Sequence, residues 1–284
     1  MFQRKFRLFE LFEIPIFVDI SFFILMLFFV NSQESFFGGV AFALVLAFSV
    51  TLHELGHSLT ARAFGYPTRD ITISLLGGCA SLSAMPRKAW QEFLVAAAGP
   101  LTSFALAIGG LVALAFLGEG SVFSLMWNLL TGSVGHAARG ELHFFGTDAS
   151  GVLYICLDSR FWLVDGLIDI AAMNLMLGLF NLLPGFPMDG GRIFRSTMRM
   201  FMSRPRATFV AMWVGRGFAI LLALNGVYRI FNHHNWGFVT LMIAWMIWQE
   251  GYREYLVSLV EDENRGWSQL DFGARVSPPP YDRD

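Results

Sequence analysis

Hydrophobic and polar positions alternate along this chain in whole segments rather than residue by residue. Apolar stretches long enough to cross a lipid bilayer as helices are separated by short stretches that carry charge, proline or glycine. We expect six spans, at about 14–30, 37–64, 90–117, 164–183, 207–230 and 236–256. The pattern predicts an all-α integral membrane protein with a six-span core over residues 14–256.

Four stretches outside these spans have a different character. Residues 71–85 are short, apolar and rich in β-forming residues around Gly77-Gly78, which predicts a hairpin or loop that is too apolar for water. Residues 118–165 form a long, glycine-containing loop on the outer face, either a cap, a gate or a mobile segment. We expect residues 1–13 to be a cytoplasmic N-terminus and 257–284 a polar, disordered cytoplasmic tail.

The composition agrees with a membrane protein, and the basic residues orient it. The chain is 55% hydrophobic and only 15% charged, and its net charge of −2 gives no indication of a nucleic-acid partner. The positive-inside rule then places both termini in the cytoplasm, since sixteen of the twenty basic residues fall on one side. They are Arg4, Lys5, Arg7, Arg62, Arg69, Arg87, Lys88, Arg192, Arg195, Arg199, Arg204, Arg206, Arg253, Arg265, Arg275 and Arg283.

The second span carries the sequence His53-Glu54-Leu55-Gly56-His57. Ionisable groups at such a depth are costly and usually mark a functional site. Residues i and i+4 share one helix face, so His53 and His57 can bind one metal ion while Glu54 reaches its bound water. A catalytic zinc site takes three protein ligands and leaves a position for water, so a third ligand must come from elsewhere.

Asp189 is the best candidate for that third ligand. It lies in the sequence NLLPGFPMDGGR, at the cytoplasmic end of the fourth span, on the same side as the HELGH end of the second. Proline breaks the helix there, and irregular backbone at membrane depth occurs where it is buried in protein or lines a cavity. Asn181, two turns earlier, could donate a hydrogen bond to a developing oxyanion, and Asn174 is an alternative for that role.

These residues predict a metal-dependent hydrolysis of peptide bonds. The metal lowers the pKa of its bound water, Glu54 accepts the proton and delivers it to the leaving amide nitrogen, and a donor such as Asn181 stabilises the intermediate. Zinc is the metal that this ligand set favours, with one ion per chain, and other divalent metals are also compatible with it.

The segments HELGHSLTARAFG, LLGGCASL, AAAGPLTS and NLLPGFPMDGGRIFRS, in that order, closely resemble the site-2 protease family of intramembrane zinc metalloproteases. The resemblance runs from about Ile14 to Glu254. It implies that His53, His57 and Asp189 are zinc ligands, that Glu54 is the general base and that Asn181 assists. It also implies that residues 71–85 form a membrane-embedded hairpin, whose edge at Gly77, Gly78 and Cys79 binds the substrate as an added strand.

The resemblance further implies a minimal form without PDZ or CBS domains. The expected partners are the lipid bilayer and a transmembrane protein, cut within or near its membrane segment in regulated intramembrane proteolysis. We expect a multi-pass protein of a prokaryotic cytoplasmic membrane. Two alternatives stay open: a membrane metal or proton transporter, and a non-catalytic relative that binds membrane helices without cutting them.

Overall fold

The computed structural model describes residues 5–32, 36–74, 77–83, 86, 88–118, 121–131, 145–147, 153–155, 159–232 and 237–269. The chain divides into two compact units. The first comprises residues 1–183 and 188–193, and the second comprises residues 184–187 and 194–284.

Helices make up most of the described chain. They are α1 (Ile20–Ser32), α2 (Phe36–Ala63), α3 (Ala89–Phe116), α4 (Val122–Thr131), α5 (Ser159–Asn181), α6 (Asp189–Met198), α7 (Arg204–Phe231) and α8 (Gly237–Gln269). The strands are β1 (Lys5–Leu11), β2 (Ile14–Asp19), β3 (Thr68–Ser74), β4 (Gly77–Leu82), β5 (Phe145–Thr147) and β6 (Leu153–Ile155).

Three of the described helices are long and apolar enough to cross a membrane. They are Gly38–Ala63, Ala89–Phe116 and Arg204–Phe231, which correspond to the predicted second, third and fifth spans. The segment Gly166–Asn181, within the predicted fourth span, is apolar but shorter. These helices identify a membrane protein. The count of six spans stays a prediction.

A four-stranded sheet, in the order β1-β2-β3-β4, lies in the first unit. Strands β3 and β4 pair antiparallel where the sequence predicts a hairpin, but β2 pairs parallel to β3, with Ile16 opposite Ile71, and β1 pairs antiparallel to β2. The alternating burial of β2 points Ile14, Ile16 and Val18 into an apolar cluster with Ile71, Ile73 and Leu55. Strand β4 is the edge that lies against α2.

The sheet corrects the prediction for the N-terminal region. The prediction of an all-α fold with one hairpin is wrong in extent, because residues 5–11 and 14–19 are two further strands. The first helix begins at Ile20 rather than at residue 14, and Asp19 Oδ1 accepts a hydrogen bond from the Ser21 N–H at its start. An apolar strand directly before an apolar helix reads in the sequence as one continuous span.

Two predicted connecting segments also contain regular structure. The loop 118–165 includes α4, the short antiparallel pair β5–β6 and the first turns of α5. Helix α8 continues to Gln269, so residues 257–269 of the predicted disordered tail are helical. The remainder of that tail lies outside the described residues.

The second unit is a helical hairpin of α7 and α8 joined to the end of α6. Small residues allow the two helices to approach, since a Cβ on Gly226 would lie 2.9 Å from Leu241 Cγ. Arg195 is fully buried, pairs with Glu254 at 2.7 Å and lies 5.1 Å from the centre of the Phe186 ring.

Candidate metal centre

The two histidines of the HELGH sequence lie on one face of α2, as their spacing predicts. Both are almost completely buried, with exposed fractions of 3% for His53 and 4% for His57. Their Nε2 atoms are 3.2 Å apart and approach the same point. Helix α2 alone therefore presents two of the three side chains that could hold a metal ion.

Asp189 supplies the third possible ligand at the first residue of α6. Its Oδ2 lies 3.0 Å from His53 Nε2 and 3.0 Å from His57 Nε2, and its exposed fraction is 6%. The chain between Asn181 and Asp189 leaves helical geometry, as its prolines predict, and α6 then starts at the aspartate. Gly190 permits this path, because a Cβ there would lie 2.3 Å from the carbonyl oxygens of Leu182 and Leu183.

The far sides of both imidazole rings are held by α3. His57 Nδ1 donates to the Val95 carbonyl oxygen at 2.6 Å, and His53 Nδ1 lies 2.9 Å from the hydroxyl of Ser103. A carbonyl can only accept, so the proton of neutral His57 is on Nδ1 and the lone pair of Nε2 faces Asp189. This is the orientation that a metal-binding imidazole requires.

Two glycines allow α2, its histidines and α3 to approach this closely. A Cβ on Gly99 would lie 2.2 Å from His57 Nε2 and 2.6 Å from His53 Nε2. A Cβ on Gly56 would lie 2.3 Å from Thr102 Oγ1 and 2.9 Å from the Ala98 carbonyl oxygen. The space beside the cluster therefore exists because these positions carry no side chain.

The donor set and its dimensions fit a divalent metal. His53, His57 and Asp189 are the group of described residues whose ligand atoms all lie within 4.8 Å of one another. Ligands at about 2.0–2.1 Å from a tetrahedral zinc are separated by about 3.3 Å, close to the three separations found here. A cation shared by the two Nε2 atoms and Asp189 Oδ2 is compatible with these separations.

Glu54 lies beside this cluster and contacts the sheet. Its Oε2 accepts a hydrogen bond of 3.0 Å from the backbone N–H of Ala80 in β4. A Cβ on Gly78 would lie 2.4 Å from Glu54 Cγ and 2.8 Å from a methyl group of Val50. The predicted hairpin and the predicted base are thus in direct contact.

The two asparagines proposed as helpers have different surroundings. Asn181 is half-buried, and its Nδ2 donates to the Leu177 carbonyl oxygen at 3.0 Å, one turn back in its own helix. Asn174 is fully buried and donates from Nδ2 to Ser49 Oγ at 2.8 Å and to the Ile170 carbonyl oxygen at 2.9 Å. The structure brings neither amide into hydrogen-bond contact with the three ligands among the described residues.

Several site residues escape sequence reasoning. Val95 contributes only a carbonyl, Ser103 is one small residue among many in α3, and Ala80 contributes only an N–H. The AAAGPLTS segment, which contains Gly99 and Ser103, is rich in small residues, and this composition could have indicated close helix packing at α3. The predicted substrate residues Gly77, Gly78 and Cys79 lie at the start of β4, with Cys79 exposed.

Comparison with known proteins agrees with this arrangement. The family model described as Peptidase family M50 matches residues 41–224. A zinc metalloprotease of Methanocaldococcus jannaschii is 30% identical over 226 residues, which cover 78% of this chain and 53% of that protein. A Synechocystis protein with a provisional zinc metalloprotease name is 31% identical over 242 residues, covering 84% of this chain and 53% of its own length.

A solved structure gives the same result for the fold. The site-2 protease from Methanocaldococcus jannaschii matches with a TM-score of 0.55 and 26% identity, over 88% of this chain and 95% of that chain. The chain belongs to peptidase family M50, and the resemblance to site-2 proteases that its motifs carry is confirmed. It spans about half the length of the curated relatives that it matches.

Proposed function

We propose that this protein is an intramembrane zinc endopeptidase that hydrolyses peptide bonds within or near the transmembrane segments of other membrane proteins. The observation that carries the proposal is the buried convergence of His53, His57 and Asp189 within an apolar helical unit, with Glu54 on the adjacent position of α2. Relatives that carry zinc metalloprotease names support the choice of metal and of reaction.

Each residue then has a chemical role. His53, His57 and Asp189 would hold the zinc, which supplies an activated water and polarises the scissile carbonyl when bound. Glu54 takes the proton from the attacking water and gives it to the leaving amide nitrogen. Val95 and Ser103 keep the two imidazoles oriented through their second ring nitrogens.

Asn181 would act as a donor to the substrate or to the developing oxyanion. To do so its amide has to exchange the Leu177 carbonyl for the substrate, a rotation of one half-buried side chain. Asn174 is the weaker choice, because both of its amide hydrogens are engaged by Ser49 and Ile170.

The depth of the site supports a substrate that lies in the membrane. His57 is six residues from the end of α2 at Ala63, or roughly 9 Å along the helix axis at 1.5 Å per residue. The distribution of basic residues would put that end at the cytoplasmic surface, with both termini cytoplasmic in a multi-pass, six-span protein. A site at that depth is suited to transmembrane segments, and cleavage there would release a cytoplasmic domain, as in regulated intramembrane proteolysis.

The test is zinc content together with cleavage of a model transmembrane peptide in detergent, for the wild type and for Glu54→Gln. We expect one zinc per chain in both proteins and cleavage only by the wild type. Equal cleavage by the two proteins, or a wild type that purifies without metal after growth in zinc, would contradict the proposal. Replacement of an exposed glutamate of β1, Glu10→Gln, controls for the charge change.

The predicted substrate edge is tested by Gly78→Pro. We expect cleavage to fall while zinc content stays at the wild-type level, because Gly78 contacts Glu54 but none of the three ligands. Loss of zinc in this variant would mean that β4 supports the metal site instead of the substrate.

A further inference from the structure

The contact between Ala80 and Glu54 joins the edge of the sheet to the proposed general base. Ala80 lies opposite Ile71 in the β3–β4 register, and its N–H donates to Glu54 rather than to β3. Backbone N–H groups alternate in direction along a strand. The N–H groups of Cys79 and Ser81 therefore point toward β3, and the N–H of Ala80 points toward the open edge. The Ser83 N–H, two residues after Ser81, donates to the Pro67 carbonyl oxygen, so it points to the same side as the N–H groups of Cys79 and Ser81.

Glu54 therefore occupies a hydrogen-bonding position that a strand added to this edge would need. Its stem passes over Gly78, where a Cβ would lie 2.4 Å from Glu54 Cγ, and its carboxylate ends on the Ala80 N–H. A strand pairing with β4 places one of its own carbonyl oxygens on an outward N–H of the edge. The substrate carbonyl and the Glu54 carboxylate then compete for the same donor.

We propose that the Ala80 N–H holds Glu54 by a hydrogen bond in the substrate-free protein, and that it donates to a substrate carbonyl instead when a strand binds to β4. We call the hydrogen bond between Ala80 and Glu54 the latch. The exchange moves the carboxylate off the sheet edge and leaves it free to accept a proton beside the bound peptide. The same exchange fixes the register of the substrate strand against β4, because the part of the substrate that pairs with Ala80 is the part that lies beside Glu54. This inference rests on the proposed function and adds how substrate binding releases its catalytic residue.

The inference is tested first by binding, without any turnover. The probe is a fluorescein-labelled Leu-rich transmembrane peptide of about 25 residues with a central Gly-Ala break, in detergent micelles. Glu54→Gln keeps a side-chain oxygen for the Ala80 N–H and Glu54→Ala removes it, and both variants lack the base. We expect Glu54→Ala to bind the probe about tenfold more tightly than Glu54→Gln does, because about one hydrogen bond no longer competes with the probe for the Ala80 N–H.

The second arm removes the donor. Ala80→Pro deletes an N–H that points away from β3, and proline is tolerated at such edge positions. In both Glu54 backgrounds we expect weaker probe binding, and the difference between Glu54→Gln and Glu54→Ala should disappear. Two variants serve as controls. Ala80→Gly keeps the N–H and measures the effect of the lost methyl group. Leu82→Pro removes the next N–H of β4 that points to the same side, two residues from Ala80, and measures the effect of a proline in this strand.

Cleavage by the zinc-loaded enzyme gives the third arm. Ala80→Pro should raise KM for the long peptide about tenfold with zinc content unchanged, because the substrate backbone loses one hydrogen bond to β4. Equal probe binding by Glu54→Ala and Glu54→Gln, or an unchanged KM for Ala80→Pro with zinc retained, overturns the latch. Failure of the proposed function would appear differently, as no cleavage by the zinc-loaded wild type.

Discussion

At the scale of single residues, the candidate metal centre depends on one position that has no side chain. Gly99 lies in α3 against both imidazoles, and a methyl group there would overlap His57 Nε2 at 2.2 Å. The rings cannot retreat while their Nδ1 atoms are bound to Val95 and Ser103 on the same helix. The absence of one methyl group is therefore as specific a requirement as the presence of a ligand.

We predict that Gly99→Ala lowers zinc affinity by at least about tenfold, a loss typical of disturbed metal-ligand orientation. The measurement is zinc bound per chain across a chelator titration, with helix content checked by circular dichroism. Gly109→Ala lies in the same helix, has nothing within 4 Å of the added Cβ, and should retain its metal. Equal zinc binding by both variants would show that α3 moves freely and that the contact is not restrictive.

Ser103 gives a second prediction at this scale. Its hydroxyl is the partner of His53 Nδ1, and Ser103→Ala should weaken zinc binding about 10–100-fold by leaving that ring free to turn. Ser58 is the matched control, because it is also fully buried and its Oγ has no hydrogen-bond partner in the described part of the chain. Ser58→Ala should keep its zinc, and a loss in both variants would point to general loosening of the helices.

At the scale of elements, the N-terminal strands are part of the unit that carries the site. Ile16 of β2 is fully buried opposite Ile71, in the same cluster as Leu55 of the HELGH sequence. We predict that Ile16→Ala destabilises the protein by about 2–5 kcal/mol, as large-to-small core substitutions do. Thermal or denaturant unfolding in detergent measures this.

Leu8→Ala, on the exposed face of β1, is the control and should change stability by less than about 0.5 kcal/mol. If Ile16→Ala also had no effect, the first two strands would be an appendage without a structural role. The comparison therefore decides whether the sheet is built from four strands or from the hairpin alone.

The same elements explain which parts of the fold could be predicted. Long apolar helices and the i, i+4 histidines follow directly from periodicity, and Asp189 followed from a proline-broken helix end on the matching side. Strand β2 was missed because its apolar residues merge into α1, and because its parallel partner β3 lies more than fifty residues later in the chain. Val95, Ser103 and Ala80 were missed because their roles depend on how α3 and β4 are rotated against α2, which a single sequence does not encode in any one residue.

At the scale of the whole molecule, zinc would join distant parts of the sequence in the first unit. His57 and Asp189 are separated by 132 positions, and α3, α4 and α5 lie between them. A ligand that binds only the folded state stabilises it by an amount that rises with the logarithm of the ligand concentration above the dissociation constant.

We therefore predict that the midpoint of thermal unfolding rises with free zinc, by an amount equivalent to about 2.7 kcal/mol at one hundred times the dissociation constant. Differential scanning fluorimetry in zinc-buffered detergent measures the effect. Asp189→Ala should unfold at a midpoint that does not change with zinc, and Asp70→Ala, a carboxylate on β3 outside the cluster, should follow the wild type. A zinc-dependent midpoint in Asp189→Ala would mean that the ion binds elsewhere.

The separation of the ligands also has a consequence for synthesis of the chain. Translation at about 5–20 residues per second would bring Asp189 out of the ribosome about 7–26 s after His57. During that interval α2 carries two histidines without the third residue of the proposed zinc site, so the proposed hydrolysis cannot begin. The order of residues along the chain would thus delay the proposed activity until the first unit has folded.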